Sequence, residues 1–300
     1  LTSGQGVGGS PELGARSAEE SREDLYEVVA DADMVFVAAG MGGGTGTGAS
    51  PVLAQIAKET GALTVGIVTR PFAFEGLRRS RVAEQGINRL REHVDTLLVI
   101  PNERLHVIAE EEITAENAFR MADDVLRMGV QSIAELVTVA GEINVDFADI
   151  NAIMRDAGPA WMSIGWGMGE HRSREAAQQA ITNPLLDVSI EGARGVLFNI
   201  TGGSDLRLSE LHEAAEVIQR VVDPDANIIF GMVTDLKMEN EIKLTIVATG
   251  FPTGDSYSDR EDQVDRLLNE ALNNDDADLD LPPFLRRFSR ARTRPNNTPD

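Results

Sequence analysis

The sequence predicts an α/β protein in its first half and an α+β unit in its second, on three observations. Short apolar runs of buried-strand type alternate with helical periodicity up to about Gly250. The junctions between them are rich in Gly or carry Pro. A long amphipathic stretch from Glu116 to Val139 separates the two halves.

In chain order, Ser17 and Glu20 have the spacing of a capping box, which predicts a helix to about Ala30, and the strand Met34 to Ala39 follows. After a glycine loop, a helix is expected from Gly48 to Thr60, ending at Gly61. The strand Leu63 to Val68, a helix from Leu77 to Val94 and the strand Thr96 to Ile100 complete two βαβ crossovers. Phe119, Leu126, Val130, Ile133, Leu136 and Val137 keep helical spacing, predicting one long helix or two abutting ones. Beyond it, strands are expected at Trp161 to Gly165, Val196 to Thr201, Ile228 to Val233 and Ile242 to Thr249, with a helix over Leu211 to Val222. After Gly250 the chain turns polar and reads as a disordered tail, except for amphipathic spacing at Val264, Leu267, Leu268, Ala271 and Leu272. The division expected is 1–120, 121–140 as the central helix, 141–252, and a tail from 253 to 300.

Composition removes several function classes. A formal charge of −22 opposes nonspecific contact with nucleic acid, which needs clustered Lys and Arg, and makes any self-association sensitive to ionic strength and divalent cations. The absence of cysteine rules out disulfides and thiolate sites, and His93, His106, His171 and His212 are too scattered for helical metal-ligand spacing. No run approaches the roughly 20 apolar residues of a membrane span, and the first 30 residues lack a basic-then-apolar signal, so a cytoplasmic location is expected.

The run Gly42-Gly43-Gly44-Thr45-Gly46-Thr47-Gly48 lies between a strand and a helix. Exposed amides, the helix dipole and missing Cβ atoms suit a phosphate there. The Walker pattern fails because Ala49 stands where its lysine would follow Gly48. The Ala-ending dinucleotide fingerprint fits Gly44, Gly46 and Ala49, but the next strand ends at Thr69-Arg70 rather than at an acid. An NADP-dependent oxidoreductase is therefore the weaker alternative.

This loop resembles the signature of the FtsZ family, the tubulin-like bacterial division GTPases. Similar segments follow in order: Thr69 to Gly76, Ile100 to Leu105, Phe119 to Leu126, Asn144 to Ile150, Gly195 to Gly203, Ile228 to Gly231 and Ile246 to Phe251. Gly4 to Pro11 resembles the family's γ-phosphate-sensing loop, and Asp280 to Arg286 its C-terminal partner-binding peptide. The resemblance implies a Rossmann-type GTPase domain joined by the central helix to an α+β domain. It also implies a first strand and a separate phosphate loop that nothing in this sequence matches, so the chain is expected to fold poorly and bind GTP weakly as it stands. A non-catalytic filament or regulatory relative is the alternative that this departure leaves open.

By the same resemblance the cofactors are GTP or GDP with Mg²⁺ carried on the phosphates. Gly8 and Gly42, Gly43, Gly44, Thr45, Gly46 and Thr47 serve the phosphates, Glu75 and Arg79 the ribose and phosphates, and Asn102 and Asp123 the ribose and guanine, with Phe119 stacking on the base. A carboxylate suits guanine because its oxygens accept from both N1 and N2 hydrogens. Asn144, Asp146 and Asp149 are the implied catalytic residues, contributed to the nucleotide of the next subunit in a head-to-tail homopolymer. Read from the residues alone, Asp146 and Asp149 equally suit a helix N-cap, and Glu75 with Arg79 an ordinary ion pair. Asp280, Leu281, Pro282, Phe284, Leu285 and Arg286 would dock on a membrane-tethering division adaptor at the midcell ring.

Overall fold

The structure, a computed structural model, describes residues 2, 4–105, 114–139, 141–183 and 190–251. The tail segments named above, with His106, lie outside the described residues.

Two helices open the chain, α1 (Pro11–Glu20) and α2 (Arg22–Val29). Ser10 caps α1 by accepting from the Leu13 N–H, and Pro11 supplies a first-turn residue that needs no amide partner. Ser17 therefore lies inside a helix rather than before one, and Ser21 breaks the single helix the sequence predicts into two. Next come β1 (Met34–Gly40), α3 (Thr45–Glu59), β2 (Leu63–Arg70), α4 (Leu77–Arg91) and β3 (Thr96–Pro101). The three strands are parallel, in the order of the two predicted crossovers. β2 reads as a nearly unbroken apolar run because both its faces are covered. Leu63, Val65 and Ile67 face one core, and Val68 faces another built with Ile56, Ile87 and Leu90 from α3 and α4.

The central stretch is one helix, α5 (Ala115–Thr138), capped by Thr114. It packs Val125, Ile133 and Leu136 onto the first of those cores, whereas Phe119 and Val137 are exposed rather than buried. A short helix, α6 (Phe147–Met154), leads to β4 (Gly158–Met168). The second half continues with α7 (Arg172–Ile181), β5 (Gly195–Gly202), α8 (Leu208–Gln219), β6 (Asn227–Thr234) and β7 (Glu241–Thr249). α7 has no counterpart in the sequence expectation.

Among the described residues the strands form one seven-stranded sheet in the order β1-β2-β3-β4-β7-β5-β6. Its halves are joined by three residue pairs between β3 and β4, from Thr96 opposite Gly158 to Leu98 opposite Ala160. β4 and β5 run antiparallel to β7, and β5 runs parallel to β6. α7 and α8 cover the second half with Ala176, Ala177, Ala180, Leu211 and Ile218.

Candidate functional site

Because β1, β2 and β3 run parallel, the segments leaving their C-terminal ends gather along one edge of the sheet, the usual place for a ligand in an open α/β sheet. From β1 comes the glycine loop, tied down by the Met41 N–H donating 3.0 Å to the Thr69 carbonyl. Gly42 turns the chain at φ +100°, a conformation costly for any residue with a Cβ, and its N–H donates 2.9 Å to Thr47 Oγ1. α3 begins at Thr45, three residues earlier than the sequence suggests, with Gly44 at its N-cap and no side chain capping it. Its first-turn amides therefore have no capping oxygen, and the dipole of a 15-residue helix points at the same space.

The loop forms one wall of a cavity of about 540 Å³. Gly6 to Gly9 continue that wall, and Glu75, Arg78, Arg79 and Val82 line the cavity from the segment after β2. Glu75 is fixed twice: one oxygen accepts from the Phe72 N–H at 2.9 Å and the other meets Arg79 Nη1 at 2.6 Å. Gly8, Gly42, Gly43, Gly44, Thr45, Glu75 and Arg79 are thus brought together. Gly46 and Thr47 are not. An added Cβ on Gly46 would stand 2.9 Å from the Gly40 carbonyl, and Thr47 is 2% exposed with its hydroxyl closing the loop. Both shape the loop from behind rather than line the cavity.

Asn102, the first residue beyond β3, is 4% exposed, and its Oδ1 is buried without a hydrogen-bond partner. Such an orphan acceptor is uncommon in a folded protein. Phe119 stands 44% exposed on α5, edge-on to Phe72 and Phe74 at 5.5 and 6.2 Å between centroids. Phe74 itself adjoins Glu75, so this aromatic group continues the edge that carries the cavity. Asp123 lies one turn beyond Phe119 on the same face of α5, exposed. Asn102, Phe119 and Asp123 stand outside the cavity's described lining.

The remaining candidates sit elsewhere. Asn144 Oδ1 accepts from the Gly141 N–H at 2.7 Å, and Asp146 is the N-cap of α6, accepting from the Asp149 N–H at 2.8 Å. The capping expectation is therefore realised, yet a carboxylate with one bond made retains further lone pairs. The far end of α6 is anchored where β3 begins: Thr96 Oγ1 donates to the Met154 carbonyl, and Thr249 Oγ1 donates 3.1 Å to that of Ile153. α6 thus adjoins the N-terminal end of the parallel strand whose other end leads to Asn102. A six-residue strand at roughly 3.3 Å per residue separates the two ends by on the order of 20 Å.

Sequence reasoning missed Arg78 and Val82 in the lining, and reached Gly6, Val7 and Gly9 only as part of the Gly4 to Pro11 segment. For Arg78 a signal existed in the basic run Arg78, Arg79 and Arg81 on a chain of strongly negative charge.

A glycine-walled cavity at the ends of parallel strands, with an uncapped helix N-terminus opening on it, makes this an α/β protein with a site suited to an anionic ligand and a glycine loop that carries no lysine. The model of the Tubulin/FtsZ family GTPase domain matches residues 1–110, and that of the FtsZ family C-terminal domain matches residues 158–252. FtsZ of M. jannaschii, solved as an empty dimer, is 46% identical with a TM-score of 0.80, over 83% of this chain and 73% of that chain. CetZ1 from Haloferax volcanii, solved as a GDP-bound monomer, is 22% identical with a TM-score of 0.71 over 91% of this chain and 81% of its own, which speaks for the fold alone. CetZ2 from the same organism, in a GTPγS-bound protofilament, is 20% identical with the same TM-score over 89% and 81%.

The chain belongs to the FtsZ family. It is a GTPase of the tubulin/FtsZ class, binding GTP and GDP, and a cytoskeletal filament protein, which removes the NADP-dependent alternative.

Proposed function

We propose that this chain hydrolyses GTP only where two copies meet head to tail, the cavity of one closed by α6 of the next. The observation that carries the reading is that the last turn of α6 is anchored through Met154 beside the N-terminal end of β3, whereas the cavity lies at the C-terminal ends of the parallel strands. In the proposal a chain's own Asp146 and Asp149 do not serve its own cavity, and a heterologous contact repeated along a filament supplies them at every junction. The dimer and protofilament among the solved relatives accord with it.

In this reading the amides of Gly43, Gly44 and Thr45 at the start of α3 hold the phosphates, Gly42 shapes the turn with its N–H spent on Thr47, and Gly8 and Arg79 stand beside them. Glu75 and Asn102 take the ribose, Asn102 supplying the acceptor that lacks a partner. Phe119 stacks on the base, and Asp123 accepts from its N1 and N2 hydrogens. From the next subunit Asp146 and Asp149 polarise the attacking water while Asn144 orients it.

The cavity fits a cation that arrives on the nucleotide. The loop has no lysine, Glu75 is already engaged, and no cluster of three metal-ligating side chains exists among the described residues. Mg²⁺ carried in on the nucleotide would supply neutralisation of the charge that develops on its phosphates.

The chain divides in the proposal into a GTPase domain (1–120), a central helix (121–140), a second domain (141–252) opening with the catalytic segment, and a tail. The tail's Asp280 to Arg286 is its contact with a membrane-tethering adaptor at a midcell division ring. No helix of the described residues is long and apolar enough to cross a membrane.

GTP hydrolysis measured against protein concentration tests the intersubunit site. A sharp onset above a threshold is expected, coincident with light scattering from filaments. Turnover strictly proportional to concentration from the lowest values upward would place the whole site in one chain and overturn the proposal.

A further inference from the structure

The end of the molecule that carries α6 holds a charged cluster with no place in the chemistry above. Asp95, immediately before β3, has a side chain with no solvent exposure. Its oxygens accept from the Thr64 N–H at 2.8 Å and the Asp156 N–H at 3.4 Å, and they face Lys58 Nζ at 3.4 Å and Arg155 Nη1 at 4.0 Å. Lys58 also reaches Asp156 at 3.0 Å. Arg155 donates 2.8 Å to Asn151 inside α6 and 3.3 Å to the Gly61 carbonyl just beyond α3. A buried carboxylate costs several kcal/mol unless it is paired and hydrogen-bonded, so this cluster is bound to one arrangement.

Its members come from the parts whose relative placement the proposed reaction depends on. Lys58 stands in the last turn of α3, whose first turn belongs to the glycine loop, and this 15-residue helix, with Pro51 inside it, spans roughly 22 Å. Arg155 and Asp156 directly follow α6, whose first turn carries Asp146 and Asp149. The Asp95 backbone continues the tie, its carbonyl accepting from the Gly158 N–H at 2.8 Å where β4 begins. We propose that Lys58, Asp95, Arg155 and Asp156 form a clamp that sets the distance from a subunit's own phosphate loop to its own α6, with Lys58 as a positioning residue for hydrolysis. The proposal rests on the reading of Asp146 and Asp149 given above. In a filament that distance recurs at every junction, so an error in it misplaces the carboxylates against the next nucleotide.

Lys58 and Asp156 are 37% and 72% exposed, so either can be changed while Asp95 keeps Arg155 and two amides as partners. The full chain is compared with Lys58→Met, Lys58→Arg, Asp156→Asn and Asp149→Ala for GTP affinity at low concentration, sedimentable fraction, and kcat and KM per assembled subunit. For Lys58→Met, kcat is expected to fall about tenfold, since displacements near 1 Å cost up to about a hundredfold, with affinity and assembled fraction unchanged. Lys58→Arg is expected to recover most of the loss, and Asp156→Asn to show a smaller loss in kcat alone. Wild-type kcat in Lys58→Met overturns the clamp. So does a parallel fall in affinity, assembly, kcat and melting temperature that Lys58→Arg does not rescue, because the cluster would then be structural only. Wild-type turnover in Asp149→Ala removes the reading of α6 itself, whatever Lys58 does.

Discussion

The two ends of the parallel strands are built from different materials. At the cavity end the phosphate-facing wall is mostly backbone, glycines and helix amides, with the side chains of Glu75, Arg78 and Arg79 across from it and Asn102 Oδ1 left unpaired nearby. At the α6 end the working surface is side chains: capping carboxylates, a buried aspartate and the cations that hold it. Short of proline, a substitution leaves a backbone donor in place and can only crowd it, whereas a carboxylate can be deleted outright. The cavity end should therefore answer to added volume and the α6 end to lost functional groups, a contrast that experiment can break.

The largest effect belongs to the α6 end. Asp149→Ala is expected to lower turnover per assembled subunit by roughly 10²- to 10⁴-fold, the usual worth of a positioned general base. GTP affinity of the unassembled chain should stay as it was, because α6 lies away from the chain's own cavity. The measurement is kcat on sedimented filaments beside equilibrium nucleotide binding. A loss of affinity equal to the loss of rate would mean that both ends act on one nucleotide within one chain.

Much of this contrast is legible in the sequence, and the failures have physical causes. The glycine run marks the cavity because five glycines and two threonines exceed what a turn requires. That Thr47 points inward is decided by a hydrogen bond back to Gly42, which composition does not carry. α7 escaped notice because its buried residues are Arg172, Ser173, Ala176, Ala177 and Ala180, either polar or too small to mark an apolar stripe. The complementary sign lies in β4. A Cβ on Gly165 or Gly167 would stand 1.9 Å from a carbonyl of α7, so alternate glycines in a strand mark a helix packed close. The Asp95 clamp was invisible because Lys58, Asp95 and Arg155 are distant in sequence and meet only through the crossover topology.

Crowding the cavity end gives the next effect, and two adjacent glycines separate folding from binding. An added Cβ on Gly44 would lie 2.3 Å from Val7 Cγ2 and 2.8 Å from the Ser10 nitrogen, while one on Gly43 meets nothing within 4 Å. Gly44→Ala is expected to destabilise the fold by about 1–3 kcal/mol, the range for overpacking, visible as a lower melting temperature. Gly43→Ala should melt like the parent and bind GTP more weakly, by roughly ten- to a hundredfold if its methyl crowds a phosphate to a similar degree. Unchanged affinity in Gly43→Ala would mean that the phosphates do not lie against the loop.

The smallest effect is a pH response, and it returns to the α6 end. Burial works against the charge on Lys58, but its bonds to Asp156 and the nearby Asp95 outweigh that and raise its pKa above the ordinary lysine value of 10.5. Asp156 is lowered below its ordinary 3.8, first by the hydrogen bond from Lys58. A raised lysine contributes stability that is full below its unfolded pKa and lost as pH rises through the folded one. A depressed aspartate contributes stability present above its unfolded pKa and lost as pH falls through the folded one. The Lys58–Asp156 pair is therefore fully charged between the two limits. The Lys58→Met to parent ratio of kcat should accordingly stay flat from about pH 5 to 9, even where the absolute rates change with other groups. A ratio that moved within that window would show that the charge on this pair is not what holds α6 in place.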